Sequence, residues 1–147
     1  MTTTEHIIDE MVAASEVGID LDEYCQARAT GASHEEILEV PRISRSRLGG
    51  APLLLADYTR IRLAGASHKE IAAVVTAGID VLGYADARRA EATHEEILRS
   101  KAAGIYVGSY ARARHEGATH AEIFAAHAAG LDMASYAYAR AWRKRTD

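Results

Sequence analysis

Two ladders hold most of the side chains in this sequence that could do chemistry. Histidines stand at His34, His68, His94 and His120, and a tyrosine followed four residues later by an arginine recurs as Tyr24/Arg28, Tyr58/Arg62, Tyr84/Arg88, Tyr110/Arg114 and Tyr136/Arg140. Imidazoles ligate metals or change charge near neutral pH. A metal needs ligands that converge on one point, whereas these four occupy one position of successive units and include no His-x-x-x-His pair. The pattern favours a histidine in a first helical turn packed on its neighbour, and neither a metal nor another cofactor is expected. Tyr and Arg four apart share a helix face. Their row either tracks a phosphate backbone with stacked bases, or it builds the interface between units, with each arginine near a helix C-terminus and paired with a glutamate. A residue kept in every copy more often builds the repeat than binds a ligand, so the structural role is preferred.

The cations outside this pattern are the better candidates for a partner-binding site. Arg42, Arg45 and Arg47 lie in Pro41-Arg-Ile-Ser-Arg-Ser-Arg-Leu-Gly-Gly50, Arg60 follows, and Arg143 and Arg145 flank Lys144 in the tail beside Trp142. The first group is bounded by helix breakers and reads as a solvated loop, with a faint likeness to a helix-turn-helix recognition element as the other reading. Trp142 either caps the last unit or anchors a partner. The chain has no Gly-rich phosphate loop and no Ser/His/Asp or Cys/His arrangement, and Cys25 sits in a slot filled elsewhere by Thr59, Ala85, Ala111 and Ala137. Cys25 is therefore read as a small interface residue, and the chain as non-enzymatic.

The elements that must position these residues are repeated. The five tyrosines are 34, 26, 26 and 26 residues apart. Gly31-Ala-Ser-His34, Gly65-Ala-Ser-His68, Glu91-Ala-Thr-His94 and Gly117-Ala-Thr-His120 keep the same register, each followed by Glu-Ile at Glu36, Glu70, Glu96 and Glu122. Ser33 with Glu36, Ser67 with Glu70, Thr93 with Glu96 and Thr119 with Glu122 have capping-box spacing. Gly18, Gly78, Gly104 and Gly130 suit the left-handed end of a first helix, and Asp20, Asp80 and Asp132 suit the N-cap of a second. Glu91 replaces a terminating glycine, so that junction is expected to be strained or capped differently. Helices of about ten residues are unstable alone and must bury their faces on neighbouring units. The expectation is an all-α fold of tandem two-helix repeats, period 26 and about five copies, stacked as a short α-solenoid. The copies fall at about 1–33, 34–67 with the basic insertion at 41–50, 68–93, 94–119 and 120–147.

Composition sets the outer bounds. The chain has 147 residues and a net charge of −4, distributed unevenly: residues 1–33 hold seven acids against Arg28 alone, while the tail is basic. The net charge opposes polyanion binding, and the asymmetry permits head-to-tail association. No apolar run is long enough to span a bilayer, the start lacks a secretory pattern, and one cysteine permits no internal disulfide. A cytoplasmic location is expected.

The unit Gly117-Ala-Thr-His-x-Glu-Ile with Tyr110-x-x-x-Arg114 resembles uncharacterised tandem helical-repeat proteins of GC-rich bacteria and their phages, a likeness covering nearly the whole chain. In architecture alone it is similar to protein-binding TPR-type and DNA-reading TAL-effector-type arrays, whose signature residues it lacks. The leading expectation is a non-catalytic interaction module that binds a protein partner through the solenoid surface or the 41–50 insertion. A nucleic-acid-binding array using the arginine ladder and the basic tail is the second reading, and a structural or self-assembling protein the third.

Overall fold

The computed structural model describes residues 3–45 and 53–146, with side chains from 6–43 and 53–143. All elements among them are α-helices: α1 (Thr3–Glu16), α2 (Leu21–Ala29), α3 (His34–Arg45), α4 (Leu55–Leu63), α5 (His68–Thr76), α6 (Val81–Arg89), α7 (His94–Ala102), α8 (Val107–His115), α9 (His120–Ala128) and α10 (Met133–Thr146). They pair as α1/α2 through α9/α10. The second helices of successive units pack directly on one another as a row, α2 on α4, α4 on α6, α6 on α8 and α8 on α10. The fold is a tandem helical repeat, and none of its described helices is long and apolar enough to cross a membrane.

The four-residue signature between units is explained by the turn it builds. After α8, the Gly117 amide bonds the Arg114 carbonyl at 3.0 Å and the Ala118 amide bonds the Ala113 carbonyl at 3.0 Å. This is the Schellman pairing, which closes a helix through a left-handed residue. Gly117 takes that conformation at φ 94°. Thr119 follows at once as the N-cap of α9: its hydroxyl accepts from the Glu122 amide at 3.1 Å, and Glu122 accepts from the Thr119 amide at 3.2 Å. Gly, Ala, Thr and His are thus the left-handed residue, the buried back-bonding residue, the cap and the first helical residue. The same reciprocal cap closes on Ser33/Glu36, Ser67/Glu70 and Thr93/Glu96.

Departures from the pattern are of three kinds. Glu91 adopts φ 70° in the slot that glycine fills elsewhere, the one described non-glycine residue with positive φ. L-residues there are disfavoured by roughly 1–2 kcal/mol. Asp20, Asp80 and Asp132 cap second helices by accepting amide bonds of 2.9–3.0 Å from Glu23, Gly83 and Ser135. Leu54 and Tyr106 hold the equivalent position without a side-chain bond. The third departure corrects the reading of 41–45 as loop, because α3 continues through Pro41 to Arg45. Proline forfeits one intrahelical bond. Val40 is buried and Ile43 packs against the core, which gives this extra turn an anchored side. Residues 46–50 of the expected loop, Arg47 included, lie outside the described residues.

The core is thin and small-residue-rich. Ile37, Ile71, Ile97 and Ile123 of the first helices are fully buried, as are Ala27, Ala87 and Ala113 of the second. Tyr24, Tyr58, Tyr84 and Tyr110 supply its largest side chains.

Candidate functional site

The repeated polar residues converge on one side of the stack. In the third unit, Glu70 Oε2 accepts from Arg88 Nη1 at 3.2 Å, and Arg88 Nη1 also donates to the Tyr84 hydroxyl at 3.0 Å. That hydroxyl lies 2.8 Å from Nδ1 of His94, which opens the next unit. A guanidinium only donates. The phenol oxygen therefore accepts from arginine and also shares a hydrogen bond with the His94 imidazole. Arg88 Nη2 reaches back to the Gly65 carbonyl at 3.0 Å, so one guanidinium ties α6 to the α4–α5 turn and to the start of α5. The network recurs with Arg114, which bonds Tyr110 at 3.3 Å, the Glu91 carbonyl at 3.3 Å and Glu96 at 3.3 Å, while Tyr110 meets His120 at 2.8 Å. In the first unit Arg28 pairs with Glu10 and donates to Tyr24 at 3.0 Å, and Tyr24 meets His34 at 2.9 Å. Each Tyr–His pair adds an edge-on ring contact at 5.7–5.9 Å.

The second unit and the last end of the ladder differ. Tyr58 bonds His68 at 2.8 Å, yet Arg62 forms no ion pair among the described residues, where its relatives pair with the glutamate 18 positions earlier. The additional residues of this copy separate Arg62 from Glu36 by 26 positions instead. Arg140 holds Glu122 at 2.8 Å, and Tyr136, with no following unit described, is only half-buried.

Electrostatics follow from this packing. Burial alone would raise the Glu70 carboxyl, but the Ser67 amide, Arg88 and His94 outweigh it and hold it below the ordinary 4.5. Glu96 is held down in the same way by Thr93, Arg114 and His120. The hydrogen bond from Arg28 is the main cause of the depression at Glu10. Burial pushes the Tyr58 phenol up to about 12 and raises Tyr24, Tyr84 and Tyr110 as well. Outside the second unit the ladder arginines and their glutamates thus meet one another as donors and acceptors. Among the described residues no three His, Cys, Asp or Glu side chains are gathered as a metal site.

The opposite side of the second helices carries what the repeat does not fix. Two residues along a helix turn it by roughly 200°, so positions two after each tyrosine face away from the ladder. They read Gln26, Arg60, Asp86, Arg112 and Tyr138; those five after read Ala29, Leu63, Arg89, His115 and Ala141. Between α6 and α8 they border a cleft of about 580 Å3 lined by Asp86, Arg89, Gly108, Ala111, Arg112 and His115. Near it the two helices come close at Gly83. A Cβ on Gly83 would stand 3.3 Å from the Gly108 amide nitrogen and 3.0 Å from Asp80 Oδ2, so the two backbones touch at this end. Arg89 Nη1 pairs with Asp86 at 3.4 Å, whereas the side chains of Arg112 and His115 have no partner among the described residues.

The sequence candidates are scattered over this frame. Arg60 is exposed on α4 in the outward row, and Arg42 is exposed on the last turns of α3. Arg45 and Arg145 are helical at the ends of α3 and α10, and Trp142 and Arg143 are exposed on α10. Two second helices, α6 and α8, separate Arg60 from the Trp142 group, so these residues do not form one site. Sequence reading missed Arg89 and Arg112. Their signal was present in the positions where copies disagree while the flanking Tyr and Arg agree. Cys25 is exposed, unlike the buried Thr59, Ala85, Ala111 and Ala137. Its slot faces the preceding second helix, and α2 has none among the described residues. Comparison with protein-family models, with curated proteins and with solved structures returned no match, so the functional reading rests on the residues themselves.

Proposed function

We propose that this chain is a non-catalytic interaction module that binds a protein partner through the outward face of its second helices. The observation that supports this reading is a division of labour within each helix. In the first, third and fourth copies the repeated Tyr, Arg, His and Glu are occupied with one another, while the copy-specific residues stand on the opposite face around the α6–α8 cleft. A surface that varies along a regular scaffold discriminates between partners, because each copy offers a different contact. The second reading, a nucleic-acid array on the arginine ladder, loses support because Arg28, Arg88, Arg114 and Arg140 are already in ion pairs.

The test is a photo-crosslinking amino acid at Leu82 and at Tyr138, both on the outward face, with Arg99 on α7 as the control position. One discrete protein adduct from the two outward positions and none from the control is the expected outcome. No adduct from either outward position would sink the reading. A nuclease-sensitive adduct would favour nucleic acid, and an adduct of twice the chain mass would favour self-assembly.

A further inference from the structure

We propose that the face formed by α4, α6 and α8 takes an extended acidic peptide segment, one carboxylate seated on Arg112 in the cleft and a second on Arg60. This deepens the protein-binding reading and rests on it. Arg60 and Arg112 occupy the same helical position two second helices apart, and neither side chain has a partner among the described residues. The acid between them, Asp86, is paired with Arg89 at 3.4 Å in an exposed contact, so these two charges offset one another on that face. An exposed guanidinium with free donors is suited to bidentate capture of a carboxylate.

The cleft is shaped for a main chain. Gly108 and Ala111 lie on its lining between the cations, so a backbone meets small residues there. Leu63 and Leu82 are exposed on the same helices, at 71% and 41%, and offer apolar contact between the charged points. Packed helices stand about 8–10 Å apart, so two steps span roughly 18 Å, or about six residues of extended chain. The occupant is therefore a segment with carboxylates spaced by about six residues. A nucleic acid fits less well. It presents a charge at every nucleotide to a face with one unpaired arginine per two helices, on a chain of net charge −4. With so few cations, counterion release adds little affinity.

The experiment is an amide 1H–15N shift titration of the whole chain with a Gly/Ser/Leu peptide of roughly twelve residues, carrying two glutamates about six apart. Gly108, Ala111 and Arg112 should shift. Arg112→Gln should weaken binding about tenfold, Arg60→Gln should remove the preference for the six-residue spacing over a three-residue one, and Arg99→Gln should do neither. Equal binding of the peptide with glutamines for glutamates would overturn the proposal. So would tighter binding of a thymidine oligonucleotide of the same length, or no shifts at millimolar peptide. Photo-adducts at Leu82 and Tyr138 combined with no peptide binding would reject the acidic occupant and leave the protein-binding reading standing. Absence of the adducts would remove that reading itself.

Discussion

Glu91 shows how one residue can break a repeat without breaking the fold. Its amide and that of Ala92 make the same two bonds to Arg88 and Ala87 that close the other second helices, at 3.0 Å each, and its carbonyl accepts from Arg114. Only the backbone conformation, φ 70°, is unfavourable for a side chain. Glu91→Gly keeps every one of these bonds and should stabilise the protein by about 1 kcal/mol, read as a rise in the urea midpoint. A fall would mean that the glutamate side chain contributes more than its backbone costs. Thr59 is a second misfit. Its hydroxyl is buried and has no partner among the described residues, in a slot that three other units fill with buried alanine. Thr59→Ala should be stabilising by roughly 1 kcal/mol, since the lost hydroxyl makes no bond; destabilisation would show that the methyl packing outweighs it.

At the scale of the element, the α6–α8 pair of the row depends on close approach, and Gly83 permits it. Alanine in place of helical glycine ordinarily gains about 1 kcal/mol. At Gly83 the sign should reverse. Its Cβ would press on the Gly108 backbone and on the Asp80 carboxylate that caps α6, so Gly83→Ala should cost about 1–2 kcal/mol. Loss of amide-exchange protection should be concentrated in α6 and α8, and uniform loss along the chain would contradict this account. The α3 extension makes the opposite point. Pro41 and the downstream glycines mark a break by local rules, yet Val40 and Ile43 have core to pack on, and the helix runs on to Arg45. Local propensity was overruled there by burial that lies outside the local sequence.

For the whole molecule, the ladder couples the units and makes stability depend on pH at both extremes. Glu10, Glu70 and Glu96 have folded values below the ordinary 4.5, so their stabilisation is present above that value and lost as pH falls through the lower folded value. Between about pH 6 and about pH 3 the urea midpoint should fall, and Glu70→Gln should flatten the fall. The buried tyrosines act in the reverse direction. Their folded values are raised, so the stabilisation is complete below 10 and disappears as pH rises toward about 12, the value for Tyr58. Tyrosinate absorbance should therefore appear in two stages. Tyr24, Tyr58, Tyr84 and Tyr110 should ionise only together with loss of helical circular dichroism. Their ionisation in a chain that stays folded would show that the phenols are not locked between units.

What the sequence determined by itself was the unit and its ends. Spacing and capping chemistry are local, and Gly-Ala-Thr-His states its own turn: a left-handed residue, a small one, a cap and a first helical residue. The alternating helices and the exceptional junction at Glu91 were legible for the same reason. Tertiary structure decided which side of each helix was spent on the stack. That Arg88 would hold Glu70, Tyr84 and the Gly65 carbonyl at once depends on α6 meeting the α4–α5 turn and the start of α5 in space. That Arg112, two residues beyond Tyr110, would be left facing a cleft depends on how α6 and α8 pack. A repeat pattern specifies what each copy shares. Only the packing of copies shows which of their differences reach the surface together.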